Sequence, residues 1–179
     1  ILLGSESFKE FAQKRVSLCK TLYFPNWTDL VFESQRPIKR KYDPTKRKII
    51  SYTGNIGHAQ GLESLVEAVK LSKKRNYEIR LIGDGRAKEF LKNIVSSEGL
   101  NDQIKFYDSV ESKNLLVFFE ESDFLYLSLN NSPLFSKTVP AKFQTYLASG
   151  VPIIGLISGE TNLLIKKNNL GFSSNAEDV

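Results

Sequence analysis

Two glycine-rich turns, Gly54-Asn55-Ile56-Gly57 and Gly83-Asp84-Gly85-Arg86, each stand directly after a short apolar run and before apolar residues at helical spacing. Backbone N–H groups at such a strand-to-helix turn can approach a phosphate closely, where the helix dipole favours negative charge. Glycines also serve ordinary turns, and the spacing is not the Gly-x-Gly-x-x-Gly dinucleotide fingerprint. A third loop, Leu134-Phe135-Ser136-Lys137-Thr138-Val139, combines hydroxyls, a lysine and the expected free amides of the helix that follows. That combination suits a diphosphate. Arg86 and Lys142 add cations, and Gln144 and Thr145 add side chains able to hydrogen-bond a sugar hydroxyl. His58 is the only histidine and no Gly-x-Ser-x-Gly elbow exists, so Ser-His-Asp chemistry has little to build on and His58 reads as a turn residue. No His, Cys and carboxylate cluster has metal-ligand spacing, so neither a metal nor another cofactor is expected. Cys19 reads as a small apolar residue. Trp27, in a turn, reads equally as a packing anchor between units or a ligand platform.

The elements that must position these residues alternate along the chain. Ile49 to Thr53 reads as a strand, and Leu62, Leu65, Val66 and Val69 lie at the i, i+3, i+4, i+7 spacing of an amphipathic helix. Ile79 to Ile82 is the second strand, with a helix marked by Phe90, Leu91, Ile94 and Val95 and stopped at Gly99. Ile104 to Tyr107 follows, then a helix from about residue 111 through Leu115, Leu116 and Phe119. The run Phe124 to Leu129 is nearly continuous in apolar residues, as a strand covered on both faces should be. A helix from about Pro140 to Gly150, a strand over Pro152 to Ile157, a helix over Glu160 to Lys167 and a strand or loop from Gly171 complete the series. Such alternation predicts an α/β, Rossmann-like parallel sheet with helices on both faces. Ahead of it, Leu2-Leu3, a helix around Phe8 to Arg15 and a strand over Thr21 to Phe24 form one further strand-helix-strand unit, ended by Pro25-Asn26-Trp27-Thr28-Asp29. In an open parallel sheet ligands lie beyond the carboxyl ends of the strands, which is where both glycine turns stand.

With 179 residues, 41% of them hydrophobic, the chain can bury one full core and a small appendage. No stretch approaches the ~18 to 20 apolar residues of a membrane span, no secretory signal opens the chain, and one cysteine cannot make an internal disulfide. The expected location is cytoplasmic. The net charge of +5 owes much to Arg36 to Lys48. This segment reads as a solvated linker, or as a surface drawn to the anionic inner face of the cell membrane in peripheral contact. Nucleic acid is not an expected partner, because no aromatic residues alternate with the basic ones. The opening Ile1-Leu2-Leu3 resembles the start of a buried strand, so the chain is expected to be part of a longer enzyme.

Four segments together resemble the C-terminal domain of family 4 glycosyltransferases: Tyr52 to Leu65, Leu81 to Arg86, Ser136 to Gly155, and Gly159-Glu160. Pro25 to Asp29 is similar to the Pro-Asn-Gly-x-Asp segment that precedes that domain. The resemblance implies a GT-B enzyme in which two Rossmann-like domains face each other, the C-terminal one holding the nucleotide diphosphate of an activated sugar. Residues 1–36 would then be a remnant and linker of the preceding domain and 37–179 the nucleotide-sugar-binding domain. The implied donor contacts are Gly54, Asn55, Gly57, Gln60, Gly83, Gly85, Arg86, Ser136, Lys137, Thr138, Val139, Lys142 and Thr145. The catalytic residues are expected in the N-terminal domain, so these residues alone are expected to be inactive. Four positions depart from the family pattern: Asn55 and Gln60 stand where an arginine and a lysine are usual, and Lys137 and Thr145 where two glutamates are usual. The Gly-Asn-Ile-Gly-His-Ala-Gln-Gly and Ser-Lys-Thr-Val-Pro style is similar to bacterial amino-sugar transferases, including N-acetylfucosaminyl transferases of capsule and O-antigen synthesis. In that branch Lys137, Lys142 and Arg86 are expected to replace the charge lost at 55 and 60. The implied reaction is retaining transfer of an amino sugar from a UDP-sugar to a lipid-linked or glycan acceptor. Alternatives are one half of a nucleotide-sugar epimerase, or a non-catalytic nucleotide-sugar-binding module.

Overall fold

The computed structural model describes residues 1–16, 20–33, 43–74 and 76–176. Two units appear in chain order. The first contains β1 (Leu2–Leu3), a turn of 3-10 helix at Glu6–Phe8, α1 (Lys9–Arg15) and β2 (Leu22–Tyr23), followed by α2 (Leu30–Glu33). β1 and β2 pair in parallel, Leu2 opposite Leu22 and Leu3 opposite Tyr23. The second unit is β3 (Lys48–Thr53), α3 (Leu62–Leu71), β4 (Tyr77–Ile82), α4 (Lys88–Ser97), β5 (Ile104–Tyr107), α5 (Ser112–Glu121), β6 (Phe124–Ser128), α6 (Ala141–Ser149), β7 (Ile153–Leu156), α7 (Glu160–Lys167) and β8 (Gly171–Ser174). Its strands form one parallel sheet in the order β5-β4-β3-β6-β7-β8. Gly171 to Ser174 is thus a strand rather than a loop.

Side-chain alternation divides this sheet's core between its faces. Tyr52, Leu81 and Tyr126 meet α3 and α4 on one face, while Leu125, Leu127 and Ile153 meet α5, α6 and α7 on the other. Helix α3 buries Leu62, Leu65, Val66 and Val69, the four residues that its spacing picks out. Each such side chain contributes roughly 1.5–3 kcal/mol. In α4 the apolar stripe is incomplete: Leu91 and Val95 are buried, but Phe90 lies on the outside. Lys88 takes a buried place instead. On this face Ile154 and Leu156 of β7 are only half-buried and Phe172 of β8 is exposed. Beyond α3 the face leaves an apolar groove of about 630 Å³ lined by Leu71, Tyr126, Ile154, Leu156 and Phe172, among others.

The order of strands reverses between β3 and β6, and the seam there is short. β3 and β4 stay in register from Lys48 opposite Tyr77 to Thr53 opposite Ile82. β3 and β6 pair only at Ile50 with Phe124 and Ser51 with Leu125. Above Ser51 the Thr53 N–H donates instead to the hydroxyl of Tyr146, at 3.0 Å. A tyrosine from α6 therefore wedges the seam open at the carboxyl end of the sheet, where the crevice of a doubly wound sheet lies.

The N-terminal unit is tied to the large sheet by Phe32 of α2, buried against Phe119, and by polar bonds. The Glu160 carboxylate, at the start of α7, accepts from the N–H groups of Glu6 (3.0 Å) and Ser7 (2.7 Å). The Ser5 hydroxyl donates to the Lys137 carbonyl. Trp27 is 73% exposed, and its ring meets Phe24 at 5.8 Å between centroids. Such exposure does not fit a packing anchor. Cys19 and Arg36 to Tyr42 lie outside the described residues.

Candidate functional site

The two glycine turns are pressed together, backbone on backbone. Gly83 has φ +144°, and a Cβ there would lie 1.9 Å from the Gly54 carbonyl oxygen. Gly85 has φ +153°, and its Cβ would lie 2.4 Å from the Ile56 oxygen. Only glycine fits this contact, because L side chains rarely adopt such backbone angles and no space exists for one. Main-chain bonds from Gly54 N–H to the Ile82 carbonyl (2.9 Å) and from Ile56 N–H to the Asp84 carbonyl (2.7 Å) hold the turns in place. Lys88 Nζ secures the underside: it donates to the carbonyls of Gly83 (2.8 Å) and Tyr107 (3.1 Å) and to Asp108 Oδ1 (2.9 Å). Sequence reasoning missed Lys88, since a lysine at a helix start looks solvated.

The polar side chains of the first turn bond among themselves. Gln60 Oε1 accepts from Gly57 N–H at 3.1 Å and from Asn55 Nδ2 at 3.3 Å. With His58 and the exposed Arg86 they line a concavity of about 310 Å³. Asn55, Gly57, Gln60, Gly85 and Arg86 are thus brought to one place. The Asn55 carbonyl accepts from the Tyr52 hydroxyl at 2.5 Å.

Lys142 lies beside this turn. It is the second residue of α6, and the first bonded amide there is Phe143 N–H, to the Pro140 carbonyl at 2.9 Å. Pro140 is accordingly the cap residue rather than the first helical one. The Ala141 and Lys142 amides belong to the unpaired set at a helix N-terminus. Lys142 Nζ donates to the Tyr52 hydroxyl, sits 3.8 Å from the centre of the Tyr52 ring, and is 3.4 Å from where a Cβ on Gly54 would lie. No carboxylate among the described residues pairs with it. Burial holds the amine well below the ordinary lysine range, at about 7. Burial also raises the Tyr52 hydroxyl and pushes that of Tyr146 up to about 12, so neither phenol supplies a negative charge. A partly buried cation position therefore stands at the carboxyl end of β3, beside an open strand seam, with no anion of its own among the described residues.

The loop from Leu134 to Val139 is built differently from the sequence expectation. It forms a 3-10 turn in which the amides of Ser136, Lys137 and Thr138 donate to the carbonyls of Ser132, Leu134 and Phe135. The hydroxyls of Ser136 and Thr138 donate to the carbonyls of Pro133 and Leu134. The loop amides are consequently paired within the loop, and the free amides are those at the start of α6 itself. The Val139 side chain is buried in the core. Lys137 lies near Glu10 of α1: Lys14, and more weakly Lys137, hold the Glu10 carboxyl below its usual range. Thr145 contacts Thr28 through their hydroxyls at 3.3 Å. Among the described residues no group of three or more His, Cys, Asp or Glu could hold a metal ion, and no helix is long and apolar enough to cross a membrane.

The sequence pattern of the family described as "Glycosyl transferases group 1" matches residues 34–178. The Escherichia coli (strain K12) protein WcaI, named as a colanic acid biosynthesis glycosyl transferase, is 26% identical over 145 residues, covering 77% of this chain and 35% of that protein. The chain spans about a third of the length of the curated relatives it matches. Among solved structures, the lipopolysaccharide outer core galactosyltransferase WaaB superposes with a TM-score of 0.69 at 16% identity, over 90% of this chain and 44% of that one. Anabaena Alr3699/HepE, solved in complex with UDP and glucose, gives 0.65 at 16% identity over 97% and 48%. At such identities these likenesses concern the fold, which these proteins share with the GT-B glycosyltransferases.

Proposed function

The chain belongs to the group 1 glycosyl transferases, and on that premise we propose that its large sheet holds the diphosphate of a UDP-sugar donor. The observation that carries this reading is the Lys142 ammonium position, partly buried beside Gly54 and with no carboxylate partner among the described residues. A buried cation without a counter-charge is costly to keep unless a ligand supplies one. The unpaired amides of Ala141 and Lys142 and the glycine backbone at 54 and 83 offer further donors to the same anion. Arg86, Asn55 and Gln60 border the concavity next to it and are assigned to the rest of the donor. Lys137, in a loop whose own amides are already paired, is assigned a lesser part than its sequence position implies.

In this reading residues 37–179 are the donor domain and residues 1–36 belong to the domain before it. The reaction is retaining transfer of a sugar, an amino sugar by the resemblance of its loops, to a lipid-linked or glycan acceptor at the cytoplasmic face of the membrane. The colanic acid name of WcaI and the UDP and glucose bound to HepE support polysaccharide synthesis from such a donor. Lys142 and the α6 amides would stabilise the departing diphosphate, whose charge grows as the glycosidic bond breaks. Titration calorimetry with UDP, UMP and uridine tests the reading. UDP should bind at least about tenfold more tightly than uridine, the increment expected from one charge-assisted contact. Equal affinities would refute it.

A further inference from the structure

Lys142 is unusual in what surrounds it. Its own helix presents Tyr146, β3 presents Tyr52 with Thr53 and Gly54, and β6 presents Tyr126 behind Tyr52. Among the described residues these titratable groups are phenols, and burial raises all three, Tyr126 to about 12. None of them is charged near neutral pH. Tyr52 gives its own proton to the Asn55 carbonyl, so toward Lys142 its oxygen can only accept. One N–H of Lys142 satisfies that oxygen, and either the amine or the ammonium can provide it. The face of the Tyr52 ring favours the ammonium. Burial opposes it, and no described carboxylate offsets that opposition.

Resting on the diphosphate reading above, we propose that donor binding at this site is coupled to proton uptake. In the free protein the Lys142 head group is the neutral amine through the upper half of the neutral range, and its lone pair takes a proton from solvent when the diphosphate arrives. The ammonium then has two N–H groups left for phosphate oxygens after serving Tyr52. Binding should weaken as pH rises through the titration of the free amine, because the proton must be drawn from an ever scarcer supply. The site would thus hold its donor more tightly in a mildly acidic medium than in an alkaline one.

Two measurements on the chain test this. The first labels lysine Cε with carbon-13 and follows the resonances with pH. One resonance should titrate with a midpoint below about 8, far under the ordinary ~10.4, disappear in Lys142→Met, and move above about 9 when UDP-N-acetylglucosamine is saturating. The second is calorimetry with UDP-N-acetylglucosamine in buffers of different ionisation heat, since neither its diphosphate nor its uracil titrates between pH 6 and 8. Proton uptake per ligand should follow the deprotonated fraction of the free amine, so it should be clearly larger at pH 8 than at pH 6, with affinity falling several-fold between them. Lys142→Arg, which cannot lose its charge, should bind with no proton uptake and no such fall. Lysine resonances that all titrate in the ordinary range overturn the proposal, and so do binding heats that do not depend on buffer. A neutral-range lysine in a chain that fails to bind the ligand at pH 6 overturns the donor reading itself, and the coupling with it.

Discussion

Replacing Gly83 with alanine tests whether the contact between the two glycine turns organises the site. At φ +144° the new Cβ would begin 1.9 Å from the Gly54 carbonyl oxygen and 2.9 Å from its carbonyl carbon. The obstacle is backbone, so no side-chain rotation can relieve it, and the turns must part by more than an ångström. Parting them stretches the bonds from Gly54 N–H to the Ile82 carbonyl and from Ile56 N–H to the Asp84 carbonyl, about 1 kcal/mol each. The unfavourable backbone angle adds roughly 1–3 kcal/mol. The sum, about 3–5 kcal/mol, is a large share of the roughly 5–15 kcal/mol that stabilises an ordinary domain. Gly99 is the matched control: its φ of +65° is also positive, but nothing lies within 4 Å of its Cβ position, so alanine there should cost only about 1–2 kcal/mol. Urea unfolding of the three proteins measures both changes. A Gly83→Ala loss no larger than that of Gly99→Ala would refute the reasoning.

Two further outcomes are expected. Lys142 has its folded-state value lowered to about 7, so between there and the ordinary lysine range the unfolded chain binds more protons, and stability rises with pH. Below pH 7 the full penalty applies, about 2–4 kcal/mol after allowing for partial solvent access and the Tyr52 ring; Lys142→Met should exceed the parent by that amount in urea unfolding at pH 6 and lose the advantage by pH 10, and a gap independent of pH would count against the burial. Lys137→Ala should leave UDP affinity within about twofold, while Lys142→Ala lowers it by at least about tenfold; a larger loss at Lys137, read by calorimetry, would return the anion to the 134–139 loop.

Much of the architecture was open to inspection in the residues because it is set by local periodicity. The four apolar positions of α3 are spaced by its own helical turn, and the glycine turns fall where two strands end. The seam between β3 and β6 was not visible, since it depends on which distant strands become neighbours. Tyr146, whose hydroxyl takes over the Thr53 amide there, looks in the sequence like one more apolar residue of α6. At the site, Lys142 could be recognised as a cation but not as a buried one, because its burial is made by Tyr52 from another element. The surroundings of Lys137 were hidden for the converse reason: the 3-10 turn that consumes the loop amides leaves no mark in the residue types, and Glu10 reaches its vicinity only through the fold.

The half-open face of the sheet also bears on how molecules of this chain behave toward one another. Leu71 and Phe172, at the rims of the apolar groove, are 72% and 70% exposed, and contiguous apolar surface of this kind is adhesive at contact. The net charge of +5 opposes contact from further away. The repulsion acts over about 30 Å at 0.01 M salt but over only about 8 Å at 0.15 M, whereas adhesion has the same short reach at either. Added salt therefore shortens the reach of the force that keeps copies apart and leaves that of the adhesion unchanged.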